Sequence, residues 1–398
     1  MCVPLPEVSE AVTARLFALC ARLDPGPAAR AEAVRLAAGV RDWDRVLARA
    51  EAEGLRPLLY WGLRDSAGAV PAPVREALRR AFLRNLARNT QLFRELEPAL
   101  DAIRGAGLRV ALTKGARLAL DVYPDPALRP FWDVDLIVHP ADWASLRRIL
   151  DRLGFAGPSV GAAGDAAGPR VLDWSCSPYF RKGPLFLEFH AHPLGLHFPV
   201  RGADGFWASA GRLRVCGTEA LVLPAECEMC HLAVHAQQHS YSRLVWLADI
   251  AALAGRPGLD WDRVVRVARE ARVRGPVHHG LRLAEALWPG AVPPGCLAAL
   301  RPGPVEAAGL RWLWPEAAVA RRAPAPDWPY YMPSLFSLWE RKDPVLALRT
   351  VAGILFPPQA WLAAATGAAA GSPRLYGRYA GRLFRPAVTA ARRLFRTE

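Results

Sequence analysis

Asp133-Val134-Asp135-Leu136-Ile137-Val138 is the stretch that decides the fold. Side chains along a strand alternate between faces, so Asp133 and Asp135 share one face while Val134, Leu136 and Val138 take the other. The run Leu185-Phe186-Leu187-Glu188-Phe189-His190 alternates in the same way and sets Glu188 beside His190. Three carboxylates converging from two neighbouring strands make a site for hard divalent cations, which prefer oxygen ligands. Cations held in pairs by such groups serve in-line displacement at phosphorus. Gly115, in a Lys114-Gly115 turn, stands 18 residues before Asp133.

Working outward, residues 101–197 carry short apolar and β-branched runs at Leu108–Leu112, Val134–Val138, Val171–Ser175 and Leu185–His190. Between them, Asp142 to Leu153 reads as a helix with Trp143, Leu146, Ile149, Leu150 and Leu153 on one side. The Gly/Ala-rich run Ala156 to Pro169 reads as a loop, and Lys182-Gly183-Pro184 as the turn of an antiparallel hairpin. From Glu10 to about Leu100 the pattern is helical, and from Gly217 helix is expected again, running from Cys227 through to Leu247. The expected class is α+β: a small mixed-sheet domain at 101–200 between a helical region at 1–100 and a helical region at 201–300. A Pro-rich connection and basic helical tail follow at 301–398. Asp42-Trp43-Asp44-Arg45-Val46 recurs as Asp260-Trp261-Asp262-Arg263-Val264, and the first Asp of each copy is an N-cap candidate.

The net charge of +14 invites a nucleic-acid reading, but lysine occurs only at 114, 182 and 342, and arginine supplies the rest. With abundant Ala, Gly and Pro, this skew reflects GC-rich coding more than selection for phosphate binding. The charge permits a polyanion partner without requiring one. The segment from Arg374 to Glu398 holds seven arginines against one acid, and its stripe of Leu383, Phe384, Ala387, Val388, Ala391, Leu394 and Phe395 suits either its own core or a membrane surface. The seven cysteines show no disulfide-framework spacing. No basic segment followed by an apolar run opens the chain, and no transmembrane run is found, so a reducing cytoplasm is the expected setting. Cys227-Glu228-Met229-Cys230-His231 fits a haem-attachment pattern, but that chemistry needs export, and the segment reads as ordinary helix.

The ordered set Leu112-Thr113-Lys114-Gly115-Ala116, Tyr123, Arg129, Asp133-Val134-Asp135-Leu136 and Leu187-Glu188-Phe189-His190 resembles the uncharacterised bacterial nucleotidyltransferase family. That family belongs to the polymerase-β-type nucleotidyltransferase superfamily. The resemblance extends to Asp42–Leu63, the Arg84–Leu96 helix, and His231–His235 through Ile250, and so covers most of residues 40–290. Where the superfamily usually has Gly-Gly or Gly-Ser, this chain has Lys114-Gly115, a departure shared by the uncharacterised family and some toxin nucleotidyltransferases.

The resemblance implies an enzyme that moves a nucleoside monophosphate from an NTP to an acceptor with two Mg²⁺ ions. Asp133, Asp135 and Glu188 would be the metal-binding and catalytic residues, with Glu188 completing the acceptor-side metal or taking the acceptor's proton. Lys114, Gly115, Arg129 and His190 would serve the nucleotide. Lys114 and Arg129 would neutralise phosphate charge, and His190 would orient the acceptor or support a ligand. On a predicted helix, His231, His235 and His239 form one stripe. His235, His239 and Asp249 are candidates for lining the cleft, and a dedicated zinc site there is the weaker reading. The acceptor is open: a small molecule or peptide is favoured, in line with the natural-product or polysaccharide biosynthesis associated with relatives of this kind. The alternatives are an RNA- or tRNA-directed enzyme of the toxin type and a non-catalytic nucleotide-binding protein.

Overall fold

The computed structural model describes residues 10–66, 68–157, 179–190 and 203–316, with isolated positions from 319 onward. The Val171–Ser175 run, nearly all of the Gly/Ala-rich loop and most of the basic tail lie outside the described residues. The chain opens with helices α1 (Glu10–Cys20), α2 (Pro27–Ala38), α3 (Trp43–Ala52), α4 (Arg56–Leu63) and the long α5 (Ala72–Gly105). There follow β1 (Val110–Leu112), α6 (Lys114–Asp121), β2 (Val134–Val138), α7 (Trp143–Arg152), β3 (Tyr179–Lys182) and β4 (Leu185–His190). The rest comprises α8 (Ala203–Ala208), β5 (Gly211–Val215), β6 (Thr218–Val222), α9 (Ala225–Gln238), α10 (Leu244–Ala254), α11 (Trp261–Glu270), α12 (Arg274–Leu287), α13 (Pro294–Ala299) and α14 (Pro304–Leu313).

The strands make one mixed sheet in the order β3-β4-β2-β1-β6-β5. β2 runs parallel to β4 and antiparallel to β1, and the β3–β4 hairpin closes on the expected turn at Gly183. One face of the sheet carries Val110, Leu112, Val134, Leu136, Val138, Leu187 and Phe189, which share a core with Leu92, Phe93 and Leu96 of α5 and Leu146 and Leu150 of α7. Ala111 and Ile137 point the other way, into the second core, built from α1–α4 and α9–α14. The predicted alternation therefore holds: Asp135 leaves the sheet on the face opposite the α5/α7 core.

Two expectations are corrected. Helix does not resume at Gly217; β5 and β6 first form an antiparallel hairpin, and β6 pairs parallel with β1, extending the sheet to Val222. Nor is Cys227 to Leu247 one helix, because α9 ends at Gln238 and α10 begins at Leu244. Ser240 and Tyr241 adopt left-handed φ values of 53° and 52° there, which a right-handed helix cannot propagate. Both Asp N-caps are in place, Asp42 accepting from the Arg45 amide and Asp260 from the Arg263 amide, each at 2.9 Å. No helix among the described residues is long and apolar enough to cross a membrane.

Candidate active site

The parallel register of β2 and β4 sets Asp135 against Glu188 and Ile137 against His190, so the two acidic strands meet as the alternation required. Asp133 sits one residue before β2, at the strand entrance. His190 Nε2 lies 2.9 Å from Asp135 Oδ1 and 3.9 Å from Glu188 Oε2. Lys114, just past the end of β1, reaches the same carboxylate with Nζ 2.7 Å from Asp135 Oδ1 and 3.2 Å from His190 Nε2. It does so from the first position of α6 with φ of 50°, a conformation unfavourable for a side-chain-bearing residue.

Burial and crowding set the protonation of this group. Burial, then the neighbouring charges of Asp135 and Glu188, push Asp133 up to about 6. Burial also disfavours ionised Asp135, but Lys114 and His190 overcome it and hold the carboxyl well below its usual range. For Lys114 burial acts against the charged form, yet Asp135, Glu188 and Asp133 prevail and its pKa is raised. Asp135 is thus an anion and Lys114 a cation near neutrality, while Asp133 gains or loses its proton close to it.

Oxygen atoms of Asp135 and Glu188 and a ring nitrogen of His190 lie within 4.8 Å of one another, a set that fits a divalent cation. Asp133, one residue before β2, is not in that set. Tyr179, paired with Glu188 across the hairpin, was not anticipated; burial and then the charges of Glu188 and Asp133 push its hydroxyl up. Counting back across the Lys182-Gly183-Pro184 turn would have paired the two.

Other predicted residues lie elsewhere. Arg129 is buried and makes a two-pronged ion pair with Asp249, Nε at 2.7 Å from Oδ1 and Nη2 at 2.7 Å from Oδ2. Asp249 is fully buried, also accepts from the Tyr123 hydroxyl at 2.8 Å, and so does not line an open cleft. The helix stripe divides. The His190 and His231 rings lie 6.1 Å apart, while His235 and His239 pack 4.6 Å from each other and about Trp246. Burial and then the positive charge of Lys114 depress His235 well below the usual imidazole range. Gly115 is required by packing: a Cβ there would meet Phe131 Cβ at 2.9 Å and Arg129 Nη1 at 3.2 Å.

A second network behind the turn was also unforeseen. Glu228, fully buried in the first turn of α9, accepts from Lys114 N at 2.8 Å, Thr113 Oγ1 at 2.9 Å and Arg117 Nη1 at 2.9 Å. The Lys114 amide is thereby given to Glu228. The residue sits inside the Cys227–His231 segment that fitted the haem pattern, and its burial among polar partners explains that segment as helix.

With this geometry in view, the comparisons with known proteins are informative. The family model of uncharacterised nucleotidyltransferases matches residues 40–289, and the chain belongs to that family. Neither the curated proteins nor the solved structures yield a match. The matched range takes in α3 through α12, the whole sheet and every residue of the acidic cluster.

Proposed function

We propose that this protein is a metal-dependent nucleotidyltransferase acting on an NTP and a small-molecule or peptide acceptor in the cytoplasm. The observation that carries this reading is the parallel pairing of Asp135 with Glu188, with the Lys114 ammonium on Asp135 and Asp133 one residue before the strand. Asp133, Asp135 and Glu188 would hold two divalent cations, Mg²⁺ being the ion suited to all-oxygen positions. When bound, such ions supply charge neutralisation on the triphosphate and lower the pKa of an acceptor hydroxyl.

The chain's own groups do the rest. Glu188 takes the proton of the acceptor hydroxyl as that hydroxyl's oxygen bonds to the α-phosphorus. The bond from that phosphorus to the β-phosphate's bridging oxygen breaks, and pyrophosphate leaves. The Lys114 ammonium, kept charged by its acidic neighbours, neutralises charge that accumulates on the departing phosphates. Arg129, occupied by Asp249, positions the turn by packing against Gly115 rather than by touching phosphate.

The test is incubation with each α-labelled NTP, Mg²⁺ or Mn²⁺, and a lysate separated into RNA, protein and small-molecule fractions. Label in the small-molecule or protein fraction that disappears with Asp133→Asn/Asp135→Asn supports the reading. Label confined to RNA replaces the acceptor class. Absence of Asp-dependent label in every fraction contradicts the activity.

A further inference from the structure

Asp135 Oδ1, His190 Nε2 and Lys114 Nζ form a triangle with sides of 2.9, 3.2 and 2.7 Å. An ammonium has only protons to give, so bonding to Nε2 requires the imidazole's lone pair at that nitrogen. The lone pair then stands beside a carboxylate oxygen with no proton between them, two acceptors held together by a shared cation. If Nε2 instead carries a proton for Asp135, its N–H edge faces the ammonium. One ring nitrogen cannot satisfy both neighbours, and a cation bound to nitrogen and oxygen together resolves the conflict.

The spacing matches such a cation. Two ligands at right angles on an ion with bonds of about 2.1 Å are separated by about 3 Å. The Asp135–His190 separation is 2.9 Å. Glu188 Oε2, 3.9 Å from His190 Nε2, falls within the roughly 4.2 Å that separates opposite ligands on an ion with such bonds, and the three donors lie within 4.8 Å of one another.

Resting on the nucleotidyltransferase reading, we propose that His190 is itself a ligand of one of the two cations, together with Asp135 and Glu188. The nitrogen makes that position select a first-row transition ion such as Mn²⁺ over Mg²⁺. Mg²⁺ favours oxygen and sheds water reluctantly, whereas transition ions accept imidazole readily. The Lys114 ammonium is then the counter-cation of the metal-free site and gives up its contact with His190 when the metal enters.

The experiment uses the full chain and MnCl₂ alone, without nucleotide. Electron paramagnetic resonance gives the Mn²⁺ affinity, and electron spin echo modulation detects a directly bound ¹⁴N. The wild type is expected to show nitrogen modulation that His190→Gln removes. Mn²⁺ affinity should fall at least about tenfold in that variant, with Mg²⁺ affinity, read by competition, changing far less. Should His190→Gln fail to fold, the wild type still decides, because Mg²⁺ should displace Mn²⁺ only in large excess. Mn²⁺ bound without nitrogen modulation, or displaced by equimolar Mg²⁺, overturns the assignment and leaves the carboxylate site standing. No Mn²⁺ binding at all removes both.

Discussion

Lys114 belongs to two charge networks, one through its backbone and one through its side chain, and they are built differently. Through its amide it joins Glu228, Thr113 and Arg117, where both carboxylate oxygens are met by donors and the anion faces a matching cation. Through its ammonium it joins Asp133, Asp135 and Glu188, where three acids surround a single lysine and a histidine whose charge depends on its proton. A matched network fixes positions and carries no excess charge for a ligand to relieve. An unmatched one carries excess negative charge that a cation can relieve. The difference separates scaffold from site without reference to any known activity.

Substitutions on the two sides should therefore fail in different ways. Replacing Asp135 with Asn should reduce nucleotidyl transfer by about 10³-fold or more, because a ligand acting at the developing charge is lost. The melting curve should still show a cooperative folded protein; retained activity would place the site elsewhere.

Replacing Glu228 with Ala should act on stability first. Removing one partner of a buried ion pair leaves an uncompensated charge and is expected to cost about 3–5 kcal/mol, read as a lower urea midpoint. An unfolding free energy within about 1 kcal/mol of the wild type would show that the network is not scaffold.

Asp133→Asn should reverse the usual direction and stabilise the metal-free protein. The shift from 3.8 to about 6 means that ionised Asp133 opposes folding. Its full value is about 3 kcal/mol, and water at this partly exposed group leaves about 1–2 kcal/mol. The pKa is raised on folding, so the penalty is complete above pH 6 and fades as pH falls towards 4. Thermal melts in chelator should show the variant ahead of the wild type at pH 7 and level with it near pH 4. A variant less stable at pH 7 would contradict the crowding argument.

The smallest effect belongs outside both networks. Asp260→Ala removes the cap of α11 and should cost about 1 kcal/mol, with turnover unchanged in an assay below the melting temperature.

The features legible in the sequence were those set by local periodicity. β2, β4, the hairpin turn and both Asp caps follow from neighbours within a few residues, and strand alternation sufficed to place Asp135, Glu188 and His190 on one face. The β5–β6 hairpin escaped because Gly211-Arg212-Leu213-Arg214-Val215 is a short edge strand whose apolar face is only Leu213 and Val215. The break between α9 and α10 has neither glycine nor proline to announce it, only Ser240 and Tyr241 in left-handed conformations. Arg129 and Asp249 lie 120 positions apart, and Lys114 and Glu228 lie 114 apart; pairings at that range are set by tertiary packing and leave no local trace.

The most direct measurement is calorimetric titration of each metal–NTP complex into the wild type and into Asp133→Asn/Asp135→Asn, with folding of both verified by thermal melts. The account predicts metal-dependent binding of at least one NTP to the wild type and its loss in the folded variant. Unchanged affinity in that variant would contradict the assignment of the carboxylate cluster as the nucleotide site.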